Sequence, residues 1–272
     1  MNFGLENEEI EKYLQILSKK IPTFLIEYAS VPEIQRLKGI SMVSACEHTK
    51  LIPYKFFHTR YEHSLGVALI VWHFTKDKKQ AIAGLYHDIA TPSFSHAIDY
   101  LHGDYEKQES TEELTETIIK NSKDIMKLLN RDNIKLEEVI DYHIYPIADN
   151  DSPKLSADRL EYTLSDGLVT QDAFTLESID KIYNNIKILK NEQGENAFEI
   201  FSNSTHVGRS DTEVKDKYCI SIKAKKRYTN PLVVCADGQA RRISDISQMG
   251  KELIEDIKHY EDSKYAYLDF EF

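Results

Sequence analysis

The stretch HSLGVALIVWHF, residues 63–74, carries no acidic, lysine or arginine side chain and is apolar almost throughout. A helix that is hydrophobic all round cannot lie on a surface, so other helices must surround it. It is also far shorter than the roughly 20 residues a membrane span needs. The fold that follows is a helical bundle built around this segment. The neighbouring sequence supplies the partners. GLENEEIEKYLQILSKKI has apolar residues at helical spacing, VPEIQRLKGISMVSA begins with Pro32 near a helix start, and KKQAIAGLYHDIA is a second buried helix halted by Pro92. STEELTETIIKNS and NIKLEEVIDYH read as amphipathic helices, and SADRLEYTLSDGL as a further helix capped by Ser156. LESIDKIYNNIKILKNE closes the helical part.

After about residue 195 the pattern changes. KYCISIKA and PLVVCA are short β-branched runs, Asp237-Gly238 is a hairpin signal, SDISQMGKELIEDIKHY returns to helix, and SKYAYLDFEF alternates like an edge strand. The expected class is mainly α: a helical domain over 1–194, with a small α+β region over 195–272 packed on it.

Charge narrows the partners. The net charge of −11 argues against an extended nucleic-acid surface, while leaving room for a small basic pocket. The acidic start MNFGLENEEIEKY lacks the basic and apolar regions of a signal peptide, so a cytoplasmic protein is expected, with no membrane partner. Cys46, Cys219 and Cys235 are scattered without CxxC spacing, which indicates neither a disulfide framework nor a thiolate zinc site.

Histidine is distributed unevenly. Four of the ten fall in HTRYEHSLGV (58–67) and LYHDIATPSFSHAID (85–99). His63 opens the buried helix, His87 and Asp88 end the next one, and Asp158 opens the helix at SADRLEY. Two imidazoles and two carboxylates form a nitrogen–oxygen set suited to a divalent transition metal. Adjacent His and Asp do not share a helix face, so both reach one ion only if the helix end lies beside it. Taken singly, each is better explained as a cap or a satisfied core group; the joint pattern favours a shared ion. His58 reads equally as a loop-shaping or a functional residue, His73 as a core or boundary residue. His102 and His143 do not match the spacing of a second metal.

In these residues the chain resembles the HD-domain metal-dependent phosphohydrolases, whose signature runs H…HD…D. It is most similar to their deoxynucleoside triphosphate triphosphohydrolase branch, through VPEIQRLKGIS, FHTRYEHSLGV, HDIATPSFSHAID and SADRLEYTLSDGL in that order, over roughly residues 30–170. The resemblance implies an HD-domain helical bundle with His63, His87, Asp88 and Asp158 as ligands of one divalent transition metal (Fe, Mn, Zn or Ni), and Mg accompanying the substrate phosphates. It makes Arg60 a phosphate contact, His96 a catalytic residue held by Asp99, and Glu112 a further catalytic residue. Arg159, Tyr162 and Asp166 would contact phosphate and the sugar 3′-hydroxyl. The late basic run containing Lys225, Lys226 and Arg227 would bind phosphate. The sequence departs from the branch at Ala90-Thr91-Pro92-Ser93, where Gly-His-Gly-Pro is usual, at Thr111, where a histidine precedes the glutamate, and near Met42, where a glutamine reads the sugar.

The implied activity is hydrolysis of a nucleotide, a dNTP giving deoxynucleoside and triphosphate, by a protein compatible with a homo-oligomer. Hydrolysis of a nucleoside monophosphate or cyclic nucleotide, and a nucleotide-binding regulator with weak turnover, are the alternatives.

Overall fold

The computed structural model describes residues 3, 5, 7–43, 54–95, 98, 114–151, 154–169, 173–190, 194, 196–200, 219–220, 230, 232–234, 239–259 and 266–267. The helices are α1 (Glu8–Leu17), α2 (Thr23–Ala29), α3 (Pro32–Gln35), α4 (Arg60–Thr75), α5 (Lys78–Tyr86), α6 (Thr115–Asn121), α7 (Lys123–Arg131), α8 (Ala157–Val169), α9 (Leu176–Asn184), α10 (Ile243–Ile246) and α11 (Gln248–His259). The strands are β1 (Ile186–Lys190), β2 (Asn196–Ile200), β3 (Cys219–Ile220), β4 (Leu232–Val234), β5 (Ala240–Arg242) and β6 (Ala266–Tyr267). The mainly helical class with a small sheet near the C-terminus is borne out.

The buried helix is α4. Thr59 and Glu62 close a capping box at its start: the Thr59 N–H donates to Glu62 Oε2 at 2.7 Å and the Glu62 N–H to Thr59 Oγ1 at 3.3 Å. From Arg60 to Val71 every residue is buried, so α4 is the axis of the bundle. Lys76 ends it in the left-handed conformation (φ 54), and Asp77 then caps α5, its carboxylate accepting from Lys79 N at 2.9 Å. That short reversal lays α5 along α4. Helices α1 and α8 pack on α4's other sides, and α1 also meets α9. Asn7 caps α1 and turns Ile10, Tyr13, Leu14 and Leu17 inward. Among the described residues, no helix is long and apolar enough to cross a membrane.

A four-stranded sheet has the order β1-β2-β4-β5. Its β1–β2 and β4–β5 pairs are antiparallel and its β2–β4 pair is parallel, while β3 and β6 form a separate antiparallel pair. Val234 pairs with Ala240 in the antiparallel β4–β5 register, on either side of the Asp237-Gly238 signal. The dipeptide itself lies outside the described residues. The β1–β2 hairpin is continuous with the helical core. Phe198 is buried edge-on against Phe74 at 5.0 Å, and Phe74 meets Tyr183, whose hydroxyl donates to Leu17 O at 2.9 Å.

Three stretches differ from their sequence reading. NNIKILKNE is not helical to its end: α9 stops at Asn184 and Ile186–Lys190 is a strand. The Asn184 and Asn185 amides donate to the carbonyls of Asp180 and Lys181 at 2.8 and 2.7 Å, which terminates the helix, and the alternating IKILK then pairs with NAFEI. NIKLEEVIDYH is not one helix either. Asn133 takes a positive φ of 53, and only two 3₁₀ turns follow, Leu136–Glu138 and Tyr142–Ile144. The Asp141 carboxylate restarts the chain by accepting from His143 N at 3.0 Å, an aspartate competing for backbone as short polar side chains do. VPEIQRLKGISMVSA is α-helical only to Gln35 and tightens to a 3₁₀ turn over Arg36–Gly39.

Asp132 ties three helices together beyond the end of α7. It accepts from Arg131 Nε at 3.0 Å, from Lys78 Nζ at 2.5 Å and from the Tyr28 hydroxyl at 3.0 Å. The bonds from Arg131, then those from Lys78 and Tyr28, overcome partial desolvation and hold its carboxyl well below the usual carboxylate range. A depressed folded-state pKa adds stability that is present above the unfolded carboxylate's pKa and lost as the pH falls through the folded value. Asp132→Asn is therefore expected to lower the melting temperature at neutral pH, with the deficit shrinking in acid. Melting curves across pH check this; a pH-independent deficit would assign the effect to packing.

Candidate metal centre

Three helix termini meet at one point. His63 comes from the first turn of α4, His87 caps the C-terminus of α5 with Asp88 next to it, and Asp158 comes from the first turn of α8. His63 Nε2 lies 3.2 Å from His87 Nε2, 3.1 Å from Asp158 Oδ1 and 3.9 Å from Asp88 Oδ2. His87 Nε2 lies 3.5 Å from Asp88 Oδ2 and 3.8 Å from Asp158 Oδ1. His63, His87 and Asp88 are buried, whereas the Asp158 side chain is 22% exposed, so the cluster opens on that side.

The far side of each ring fixes its orientation. His87 Nδ1 faces Gly84 O at 2.8 Å, a contact an imidazole makes only as donor. His63 Nδ1 contacts the carboxylate of Glu161, which is wholly buried. With both Nδ1 positions donating outward, both Nε2 lone pairs point at the same space. Two such nitrogens 3.2 Å apart need a cation or proton between them. Burial opposes charge on His63, but Glu161 and Asp158 outweigh it and raise its pKa to about 10. Burial also works against Asp88 and Asp158. Arg60 and the two histidines nonetheless hold Asp88 well below the usual carboxylate range, and His63 followed by His87 does the same for Asp158. Two oriented imidazoles and two ionised carboxylates around one point fit a divalent transition metal. Among the described residues, His63, His87 and Asp88 form the group whose ligand atoms lie within 4.8 Å of one another.

Asp88 is held from three directions. Arg60 Nη1 donates to its Oδ2 at 2.8 Å, and the Thr91 hydroxyl donates to Oδ1 at 2.8 Å. Arg36 donates to the carbonyls of Ile89 and Thr91, the latter at 2.8 Å, and so fixes the turn that follows. Thr91 stands where the resembling enzymes carry a histidine; here it bonds Asp88. The Tyr142 ring lies 5.0 Å from His87.

The other expected residues divide into four sets. Arg60 sits in the cluster, and its Nε is buried without a hydrogen-bond partner. Arg159 is turned to the 149–154 loop: it donates to Asn150 O and Oδ1 at 2.5 Å and Lys154 O at 2.6 Å, and pairs with Asp149 at 3.0 Å. Tyr162 and Asp166 are half-buried on α8, and Asp166 shares a small cavity wall with Met42, Ser41 and His58. His96, Asp99, Glu112, Lys225, Lys226 and Arg227 lie outside the described residues, as do Thr111 and His102.

His58 is buried with Nε2 unpartnered, and burial pushes its pKa down to about 4. His73 is a boundary residue against Phe74 and Tyr183, at 4.7 and 5.3 Å. His143 lies between Asp141 (3.0 Å) and Asp149 (3.5 Å). Sequence reasoning missed Glu161 and the contact of Thr91 with Asp88. A glutamate three residues after Asp158, within a helix that buries Leu160 and Leu164, was the available signal.

Residues 60–171 match the family model for the HD domain. The uncharacterized protein YdhJ of Bacillus subtilis is 34% identical over 134 residues, covering 49% of this chain and 40% of that protein. Metal-dependent phosphohydrolase cns2 of Cordyceps militaris is 28% identical over 170 residues, covering 60% of this chain and 46% of that one. A crystal structure of a phosphohydrolase from Bacteroides thetaiotaomicron superimposes with a TM-score of 0.44 at 22% identity, over 67% of this chain and 46% of that one. The chain thus spans less than half the length of these two curated relatives. The HD-domain model covers the ordered histidine, His-Asp and aspartate that meet between α4, α5 and α8, and over residues 60–171 the chain is similar to the HD domain.

Proposed function

We propose that the chain is a metal-dependent phosphohydrolase acting on nucleotides, and that it converts a dNTP to deoxynucleoside and triphosphate. The observation that carries the first part is the convergence of His63 Nε2, His87 Nε2, Asp88 and Asp158 at the open end of three helices. The resemblance of four ordered sequence blocks carries the second. Bound there, a divalent metal supplies a polarised phosphoryl oxygen and an acidified water.

The residues around it do the rest. Arg60 places a fixed guanidinium beside Asp88, where it neutralises charge developing on the phosphoryl oxygens. Asp158, on the exposed side, marks where substrate enters. His96, oriented by Asp99, protonates the leaving 5′-oxygen, with Glu112 in support. Tyr162 and Asp166 hold the sugar from α8, and Lys225, Lys226 and Arg227 reach the outer phosphates. Arg159 acts through the 149–154 loop that it clamps. Mg accompanies the substrate phosphates, and the setting is cytoplasmic, in a homo-oligomer.

The test is incubation of the protein with the four dNTPs, NTPs, a nucleoside monophosphate and a cyclic nucleotide, each with Mn²⁺, Fe²⁺ or Mg²⁺, with products separated by chromatography. Triphosphate and deoxynucleoside are the expected products. Orthophosphate or a ring-opened monophosphate would replace the dNTP assignment with another HD chemistry. Thr91 favours one further reading, a nucleotide-binding regulator with weak turnover, because the position where the resembling enzymes carry a histidine here holds a threonine that bonds Asp88. Nucleotide binding without product across the metal series selects it.

Two variants sharpen the roles. His96→Ala is expected to leave metal content intact and slow turnover about a hundredfold or more, as for loss of a general acid; unchanged turnover removes His96 from the mechanism. Asp166→Ala is expected to narrow the rate gap between dNTP and 2′,3′-dideoxynucleotide, because a half-buried carboxylate that loses the sugar hydroxyl as donor disfavours the analogue lacking it. Equal wild-type rates on the two substrates would end the sugar-reading role.

A further inference from the structure

Helix α1 lies outside residues 60–171, yet one of its side chains reaches the back of the metal centre. The Tyr13 hydroxyl donates to Glu161 Oε1 at 3.0 Å and contacts the Glu161 carbonyl at 3.3 Å. Glu161 Oε2 contacts His63 Nδ1 and lies 3.4 Å from the Ser165 hydroxyl. Tyr13, Glu161 and Ser165 are wholly buried and His63 nearly so. Among the described residues, no lysine or arginine pairs with Glu161, and its ion-pair partner is the His63 ring.

A carboxylate sealed from water without a fixed cation is costly unless its partners use its charge. Here the partner is a ring whose opposite nitrogen faces the ligand cluster. A carboxylate on the far nitrogen of a metal-binding imidazole fixes the tautomer and the ring plane, and raises the basicity of the ligating nitrogen. Glu161 can do this only if its own rotamer is fixed. Tyr13 holds one oxygen and so leaves the other aimed at His63. Burial, followed by Glu161, raises the Tyr13 pKa far above its ordinary value, so the phenol remains a donor at any working pH. The chain also makes room for this arrangement. A Cβ on Gly66, one turn along α4 from His63, would lie 2.6 Å from Glu161 Cγ.

We propose that Glu161 and Tyr13 are positioning residues for His63, and that the N-terminal helix is thereby a structural part of the metal centre. The proposal rests on the metal centre argued above. It is tested on the full chain by titrating Co²⁺ into wild type, Glu161→Gln and Tyr13→Phe, reading the dissociation constant and the visible Co²⁺ bands. Glu161→Gln keeps the side-chain size but removes the anionic acceptor, and is expected to weaken metal binding about tenfold to a hundredfold with altered bands. Tyr13→Phe removes one donor and is expected to weaken it about fivefold, with a band shift in the same direction. Unchanged affinity and bands in Glu161→Gln, with wild type binding normally, would overturn the relay and leave the metal centre standing. A folded wild type that binds no Co²⁺ would overturn the metal centre itself. If Glu161→Gln fails to fold, Tyr13→Phe decides: weaker binding with shifted bands supports the relay, and wild-type values overturn it.

Discussion

Asp88→Ala is expected to yield a folded protein that holds no stoichiometric metal and has no measurable turnover. Each of four ligands to a structural-type divalent site carries on the order of a quarter of a binding energy of about 10–16 kcal/mol, so losing one costs several hundredfold in affinity. Asp88 should cost more than that share, because its two oxygens serve different partners. Oδ2 faces the histidine nitrogens and accepts from Arg60, while Oδ1 accepts from Thr91. Alanine leaves Arg60 as a buried cation without its carboxylate, repelling whatever divalent ion would enter. Asp88→Asn separates the two effects: it keeps the shape and an acceptor for Thr91 but removes the charge. Both variants should lose metal, with Asn nearer to wild-type stability. Metal content by elemental analysis, beside product chromatography, is the measurement. Stoichiometric metal in purified Asp88→Ala would dismiss this residue as a ligand.

The candidate ligands were legible in the sequence because each announces itself locally. His63 follows a cap and begins an apolar run, His87-Asp88 ends one, and Asp158 follows Ser156 at a helix start. Ordinary helix geometry then brings such termini to a common end of the bundle. The α4 axis was legible for a related reason, since a charge-free run can only be buried. What lay beyond reading were relations across the chain. Glu161 reaches His63 across 98 residues and Tyr13 reaches Glu161 across 148, and neither separation has a periodicity to betray it. Arg159 looked like a phosphate contact from its place beside Asp158, but its direction depends on carbonyls that the 149–154 loop turns toward it. The strand at Ile186–Lys190 was hidden because its isoleucines continue the helical spacing of α9; only the Asn184-Asn185 stop and the partner strand decide against helix. NIKLEEVIDYH likewise has helical apolar spacing, overruled by the left-handed Asn133 and by the Asp141 turn.

Gly66→Ala is expected to destabilise the protein, against the ordinary helical trend. In a helix interior, alanine is better than glycine by about 1 kcal/mol, so the substitution would stabilise α4 if space allowed. Space does not allow it. The new Cβ would meet Glu161 Cγ at 2.6 Å, Oε1 at 2.8 Å and Cδ at 2.9 Å. A flexible glutamate on a surface would swing away, but this one is wholly buried and held by Tyr13 and His63. Overpacking of this kind costs about 1–3 kcal/mol or more, and breaking the Glu161 bonds to escape it leaves a buried carboxylate unpaired at about 1–3 kcal/mol. The clash outweighs the propensity, for a net loss of about 2 kcal/mol and a melting temperature lower by roughly 4–8 °C. Metal affinity should fall with it, because the side chain that is displaced is the one behind His63. The double variant Gly66→Ala with Glu161→Ala then reverses the sign. With the carboxylate gone the Cβ has room, so the double variant should melt above Glu161→Ala alone while still binding metal weakly. If Gly66→Ala melts at or above wild type, Glu161 is free to move and the close approach does not constrain the centre.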